Sequence, residues 1–161
     1  MAEDILNMDI NFEDYFNQTA IDIINKIEGN EQADWGIMTA HHMIEHLQLV
    51  FQFVLPEHEM PILLSGEKLE RQRNFLYSEL PLMKNFKPPF LPKEELLPLK
   101  TNTIDEAKEA LISTIHLFLS TIQATDFTTA NHPFFGKLNT KEWMLFQYKH
   151  TIHHFKQFNL I

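Results

Sequence analysis

The chain contains no cysteine. Disulfides, thiolate metal sites and a cysteine nucleophile are therefore excluded, and stability has to come from core packing. Any metal ion would have to be held by histidine, carboxylate or carbonyl oxygen. Long apolar runs are missing too: nothing approaches the roughly 20 residues that span a bilayer. Basic residues are outnumbered 13 to 22 by acidic ones, a formal charge of −9, and form no stripe that could neutralise a run of phosphates. Neither nucleic acid nor a membrane is thus expected as a partner. The N-terminal "MAEDILNMDINFEDYF" is acidic and interrupted, without the basic patch and apolar run of a signal peptide, so a cytoplasmic location is expected.

What is present suits one domain spanning 1–161, with 44% apolar residues to build a core. Residues 12–28 place Phe12, Phe16, Ala20, Ile23, Ile24 and Ile27 on one side at helical spacing, ending at Gly29. Thr39 can N-cap a second helix to about Leu55, where Pro56 stops it. "EKLERQRNFLYSEL" reads as a short helix or helical extension. The stretch 81–98 holds five of the eight prolines and cannot be a regular element; it reads as an ordered crossover held by Phe86, Phe90 and Leu91. "TIDE" at 103–106 and "NTKE" at 139–142 fit capping boxes for helices to about Ala124 and Phe158. No segment alternates with period two for long enough to suggest a sheet. The expected architecture is an all-α four-helix bundle with a long crossover between the second and third main helices.

Histidine placement carries the chemistry. A helix turns about 100° per residue. In the last helix Glu142, Lys149 and Lys156 share one narrow sector expected to face water, with His153 at its edge. His150 and His154 fall instead with Trp143, Gln147 and Gln157, next to the apolar Met144, Tyr148 and Phe158. In the second helix His41, Glu45, Gln48 and Gln52 form the expected wet sector. His46 lies inside the apolar arc and His42 nearer its rim. A single core histidine is ordinarily satisfied by a carbonyl or another polar side chain. Two imidazoles one turn apart leave several donors and acceptors to satisfy in a small volume, a cost that a shared metal removes. HxxxH spacing recurs by chance, so it is suggestive rather than specific. His132, in "NHPFFGKL" just before the last helix, is expected to set the approach angle of that helix rather than to cover a site.

"WGIMTAHHMIEHL" at 35–47, "HPFFGKLNTKEW" at 132–143 and "KHTIHHFKQF" at 149–158 together resemble the DinB/YfiT-like superfamily. There a helical bundle holds a divalent metal through one histidine of the second helix and an HxxxH pair of the last. The resemblance implies ligation by His46, His150 and His154, with Gln157 matching a glutamine that commonly follows the pair. His42 is a candidate fourth ligand that the pattern does not require. Three imidazoles suit Zn²⁺, Ni²⁺ or Fe²⁺. The implied function is a metal-dependent hydrolase or thiol-dependent transferase acting on a small molecule. The alternative is a non-catalytic metal-binding module or homodimeric interaction module of the same fold. No general base is identified, because Glu45 belongs to the expected wet sector. Because only neutral imidazole ligates, metal affinity is expected to fall below about pH 6.5.

Overall fold

The computed structural model describes residues 10–92 and 94–161; the acidic N-terminal stretch up to residue 9 lies outside them. The described chain is mostly helical. Helix α1 runs through Phe12–Asp14, a π-helical turn at Tyr15–Thr19 and Ala20–Asn25. Helix α2 is Ala40–Phe51, tightening into a 3₁₀ turn at Gln52–Val54 ahead of Pro56. Helix α3 is Gly66–Tyr77, α4 is Ile104–Gln123 and α5 is Thr140–Gln157. Among the described residues no helix is long and apolar enough to cross a membrane.

The helix starts follow the sequence signals. Thr39 Oγ1 accepts from the His42 amide, and Thr103 Oγ1 accepts from the Glu106 amide. Asn139 and Glu142 complete a reciprocal capping box, each side chain accepting from the other's amide. The inward stripe of α4 is as the periodicity predicts: Ala107, Leu111, Ile115, Phe118, Leu119 and Ile122 are all buried. Phe16, Phe51 and Phe118 bring α1, α2 and α4 together, with ring centroids 5.1 to 6.4 Å apart in edge-on contacts. Tyr148 of α5 meets Tyr15 and Phe12 at 4.9 and 5.1 Å, which seats α1 against α5. Truncating any one of the fully buried phenylalanines should cost about 3 to 5 kcal/mol.

The chain is not all-α. Ala130–His132 (β1) and Gly136–Leu138 (β2) pair antiparallel, with Asn131 opposite Lys137. Three-residue strands are too short to show a period-two pattern. This hairpin delivers the chain to α5, and the Trp143 indole N–H donates back to the Ala130 carbonyl at 3.3 Å. Gly136 has φ +77°, and a Cβ there would stand 3.3 Å from the Leu69 side chain, so α3 packs directly over the turn.

The sector of α5 expected to face water does not do so as a whole. Lys156 is exposed, but Glu142 is buried and Lys149 partly so, because α3 lies across them. Arg73 donates to Glu142 and to the carbonyls of Phe135 and Lys137, and the Tyr77 hydroxyl donates to the same Glu142 carboxylate. Lys149 Nζ donates to the carbonyls of Phe75, Leu76 and Ser78 at the C-terminal end of α3. Between α3 and α4 the chain runs without helix or strand among its described residues, as the prolines require. Phe86 and Phe90 do pack on Phe134, at 5.3 and 6.3 Å, yet remain 53% and 43% exposed, so they anchor this crossover only at its outer edge.

Candidate metal centre

Helix α5 presents His150 and His154 four residues apart, and α2 presents His46 opposite them. His46 Nε2 and His154 Nε2 each lie 3.1 Å from His150 Nε2. His150 and His154 are buried and His46 is partly buried. Among the described residues these three form the single group of metal-ligating side chains whose ligand atoms all lie within 4.8 Å of one another. A first-row divalent ion with Zn–N-type bonds of about 2.1 Å, at angles between octahedral and tetrahedral, would separate neighbouring nitrogens by about 3.0 to 3.4 Å. The two separations from His150 Nε2 fall in that interval, and the three ligand atoms lie within 4.8 Å of one another.

Proton accounting favours the same reading. Gln157 Nε2 donates to the Trp35 carbonyl at 2.7 Å, which fixes its Oε1 toward His154 Nδ1, also at 2.7 Å. His154 therefore carries its proton on Nδ1 and offers a bare Nε2. His150 Nε2 touches two other imidazole nitrogens, and one proton cannot satisfy both contacts. A cation among the three nitrogens removes the conflict.

The three rings are also kept neutral. Burial pushes His46 down to about 4, with proximity to His153 adding to the effect. His150 and His154 sit well below the ordinary imidazole value, first through burial and then through mutual repulsion within the cluster. Protons should thus compete for these nitrogens only well below the pH near 6.5 expected of a free imidazole.

Several other polar residues take different roles from those expected. His42 stands outside the cluster, its Nδ1 paired with Thr39 Oγ1 at 2.7 Å, so the group has three members and not four. His41 and Glu45 are not on an open wet face. His41 Nε2 meets Thr101 Oγ1 at 2.7 Å, and the Glu45 carboxylate accepts from the amides of Lys100 and Thr101 and from the Thr101 hydroxyl. Burial raises the Glu45 pKa, but those donors outweigh it and leave the carboxyl below its usual range. His153 is half-buried, its ring edge-on to Trp35 at 5.5 Å and to His154 at 5.0 Å. Lys84 Nζ lies 4.1 Å from the same indole, so the crossover reaches Trp35 beside His153.

His132 behaves as a hairpin residue. Its Nδ1 accepts from the amides of Phe134 and Phe135, both at 3.2 Å, and its ring lies 4.3 Å from Phe146 and 4.7 Å from Phe135. Phe146 in turn stacks on His150 with an interplanar angle of 14°. His132 thus ties the hairpin turn to Phe146 of α5. Gly36 is a contributor that the sequence did not reveal: φ is +80°, and a Cβ would stand 3.1 Å from Gln157 Nε2. Only the residue's place in space, and no periodicity, could identify it.

No curated protein and no solved structure matches the chain. A family model described as a protein of unknown function (DUF1569) matches residues 80–160, a stretch that contains the hairpin, His150, His154 and Gln157 but not His46. That match takes in half of the sequence, and the chain belongs to the DUF1569 family.

Proposed function

We propose that His46, His150 and His154 bind a divalent metal ion in a helical bundle of the DinB/YfiT-like type, and that the protein is a metal-dependent hydrolase or thiol-dependent transferase for a small molecule. The observation that carries the metal reading is the grouping of three imidazoles, His46 Nε2 and His154 Nε2 each 3.1 Å from His150 Nε2 and the three ligand atoms within 4.8 Å of one another, with Gln157 holding the outer nitrogen of one ring. The ligand set is neutral and nitrogen-only, which suits Zn²⁺, Ni²⁺ or Fe²⁺. An ion held so keeps its double charge and acidifies a water or thiol that joins it. Support for the bundle type comes from the order and spacing of the histidine motifs. His150 and His154 supply one face of the centre from α5 and His46 the other from α2.

The test is equilibrium dialysis against Zn²⁺, Ni²⁺ and Fe²⁺ with elemental analysis. One equivalent should be retained by the wild type and lost in the His150→Ala, His154→Ala double variant. Equal metal content in the two proteins would sink the reading.

A second reading, a non-catalytic metal-binding module, is favoured by one specific observation. Glu45, the carboxylate next to His46 in sequence, is tied to Lys100 and Thr101 and is not free to act as a base. Turnover by the loaded protein in ester, amide, epoxide or thiol-conjugation panels separates the two readings. Strong metal stabilisation without any turnover supports the second.

A further inference from the structure

His150 Nδ1 and Gln147 Oε1 are both buried and neither has a hydrogen-bond partner. Gln147 is fully buried, and its amide nitrogen donates to the Val50 carbonyl at 3.1 Å. That bond fixes the orientation of the carboxamide and leaves Oε1 as an acceptor in need of a donor. His150 has the complementary need. With Nε2 bare toward a metal, its ring proton resides on Nδ1, a donor in need of an acceptor. Gln147 and His150 are three residues apart on α5, a spacing at which helical side chains meet. Thr151 Oγ1 is also buried without a partner and, four residues from Gln147, is a second donor on the same face; a threonine hydroxyl can turn to a carbonyl of its own helix, whereas the His150 ring proton cannot.

The other member of the pair already has such an arrangement. His154 Nδ1 lies 2.7 Å from the Oε1 of Gln157, again three residues away, and a backbone carbonyl fixes that glutamine through its Nε2. Gln147 repeats each element on the opposite side of the HxxxH pair: spacing, burial, and an amide nitrogen spent on a backbone carbonyl.

We propose that Gln147 is the positioning residue of His150, its Oε1 accepting the Nδ1 proton directly or through one bound water, so that His150 Nε2 is presented bare to the ion. The inference rests on the metal reading above. The working unit of α5 is then Gln147, His150, His154 and Gln157 together, two ligands each locked by a glutamine three residues outside the pair. Gln147 touches no ion; it acts through the ring that does.

The experiment compares the full chain with Gln147→Leu and Gln147→Glu by Zn²⁺ competition against a chelator and by ¹⁵N-resolved histidine ring spectra. Gln147→Leu removes the acceptor and should weaken Zn²⁺ by about 10- to 100-fold. Gln147→Glu keeps it and should bind within a few-fold of wild type. In the Zn²⁺-loaded wild type, His150 should carry a slowly exchanging proton on Nδ1. That signal needs no variant, so it tests the inference even if Gln147→Leu fails to fold. A His150 Nδ1 proton that exchanges freely with solvent, or a folded Gln147→Leu protein with wild-type Zn²⁺ affinity, overturns the role of Gln147 and leaves the metal site standing. A wild type that binds no Zn²⁺ overturns both.

Discussion

Gln157 joins two parts of the chain that are 122 residues apart, accepting from His154 with its oxygen while its nitrogen donates to the Trp35 carbonyl. The orientation of one ligand is thereby set by the loop ahead of α2. Gln157→Leu should keep the fold but lower metal affinity by roughly 10- to 100-fold, with Gln157→Glu retaining most of it. Gly36→Ala should act on the same contact from the other side, because its Cβ would press on Gln157 Nε2. Chelator competition on the three proteins measures this. Unchanged affinity in Gln157→Leu would mean that the bond is incidental.

Arg73 and Glu142 form an ion pair in which Glu142 is almost fully enclosed and Arg73 is about one-third exposed. Removing one partner leaves a buried charge partly unmatched. Arg73→Met should therefore lower the unfolding free energy by about 3 kcal/mol. Replacing both residues by methionine should cost less than the sum of the single changes. Urea denaturation of the four proteins completes the cycle, and strict additivity would contradict a direct coupling.

His132 makes stability depend on pH. Burial pushes its imidazole down to about 3. The unfolded chain, with an ordinary histidine near 6.5, takes up a proton first as pH falls. Stability from this residue is therefore full above about 6.5 and is lost progressively down to about 3. The loss at pH 4 relative to pH 7 should be about 3 kcal/mol. Asn in place of His132 can still accept from the amides of Phe134 and Phe135, as Nδ1 does, but it does not titrate. His132→Asn should thus flatten the slope of unfolding free energy between pH 7 and 4, whatever it does to stability at neutral pH. An unchanged slope would assign the acid sensitivity to other groups.

The elements with strong local signals were legible in the sequence. Thr39, Thr103 and the Asn139–Glu142 box start helices where they should, and the inward stripe of α4 is the predicted one. The three clustered histidines were also legible, because a 3.6-residue period sorts His150 and His154 from His153 and sorts His46 from His41. What failed was the inference from polarity to exposure. A helical wheel says which residues are polar, but not whether another part of the chain brings polar partners to them. Glu142 and Lys149 were to face water and are covered by α3. Glu45 and His41 were to face water and are met by Lys100 and Thr101. The place of Gly36 against Gln157 is a contact that no local pattern encodes.

The way α3 is attached bears on how the molecule opens. Leu76 is the one residue of this helix that is buried; Leu69 covers the Gly136 turn, and much of the remaining hold is the polar set of Arg73, Tyr77, Glu142 and Lys149. To the apolar core that holds Phe16, Phe51 and Phe118, α3 contributes Leu76 alone as a fully buried side chain, with Phe75 and Tyr77 packed against its edge. Helix α3 should then detach as a unit while that core stays closed. In amide hydrogen exchange its protons should be replaced well before those of α2 and α4, and in Arg73→Met faster still. Equal protection across all the helices would mean that the molecule opens only as a whole. Each such opening would uncover Glu142 and Lys149 and so hand water the side of α5 that α3 keeps dry.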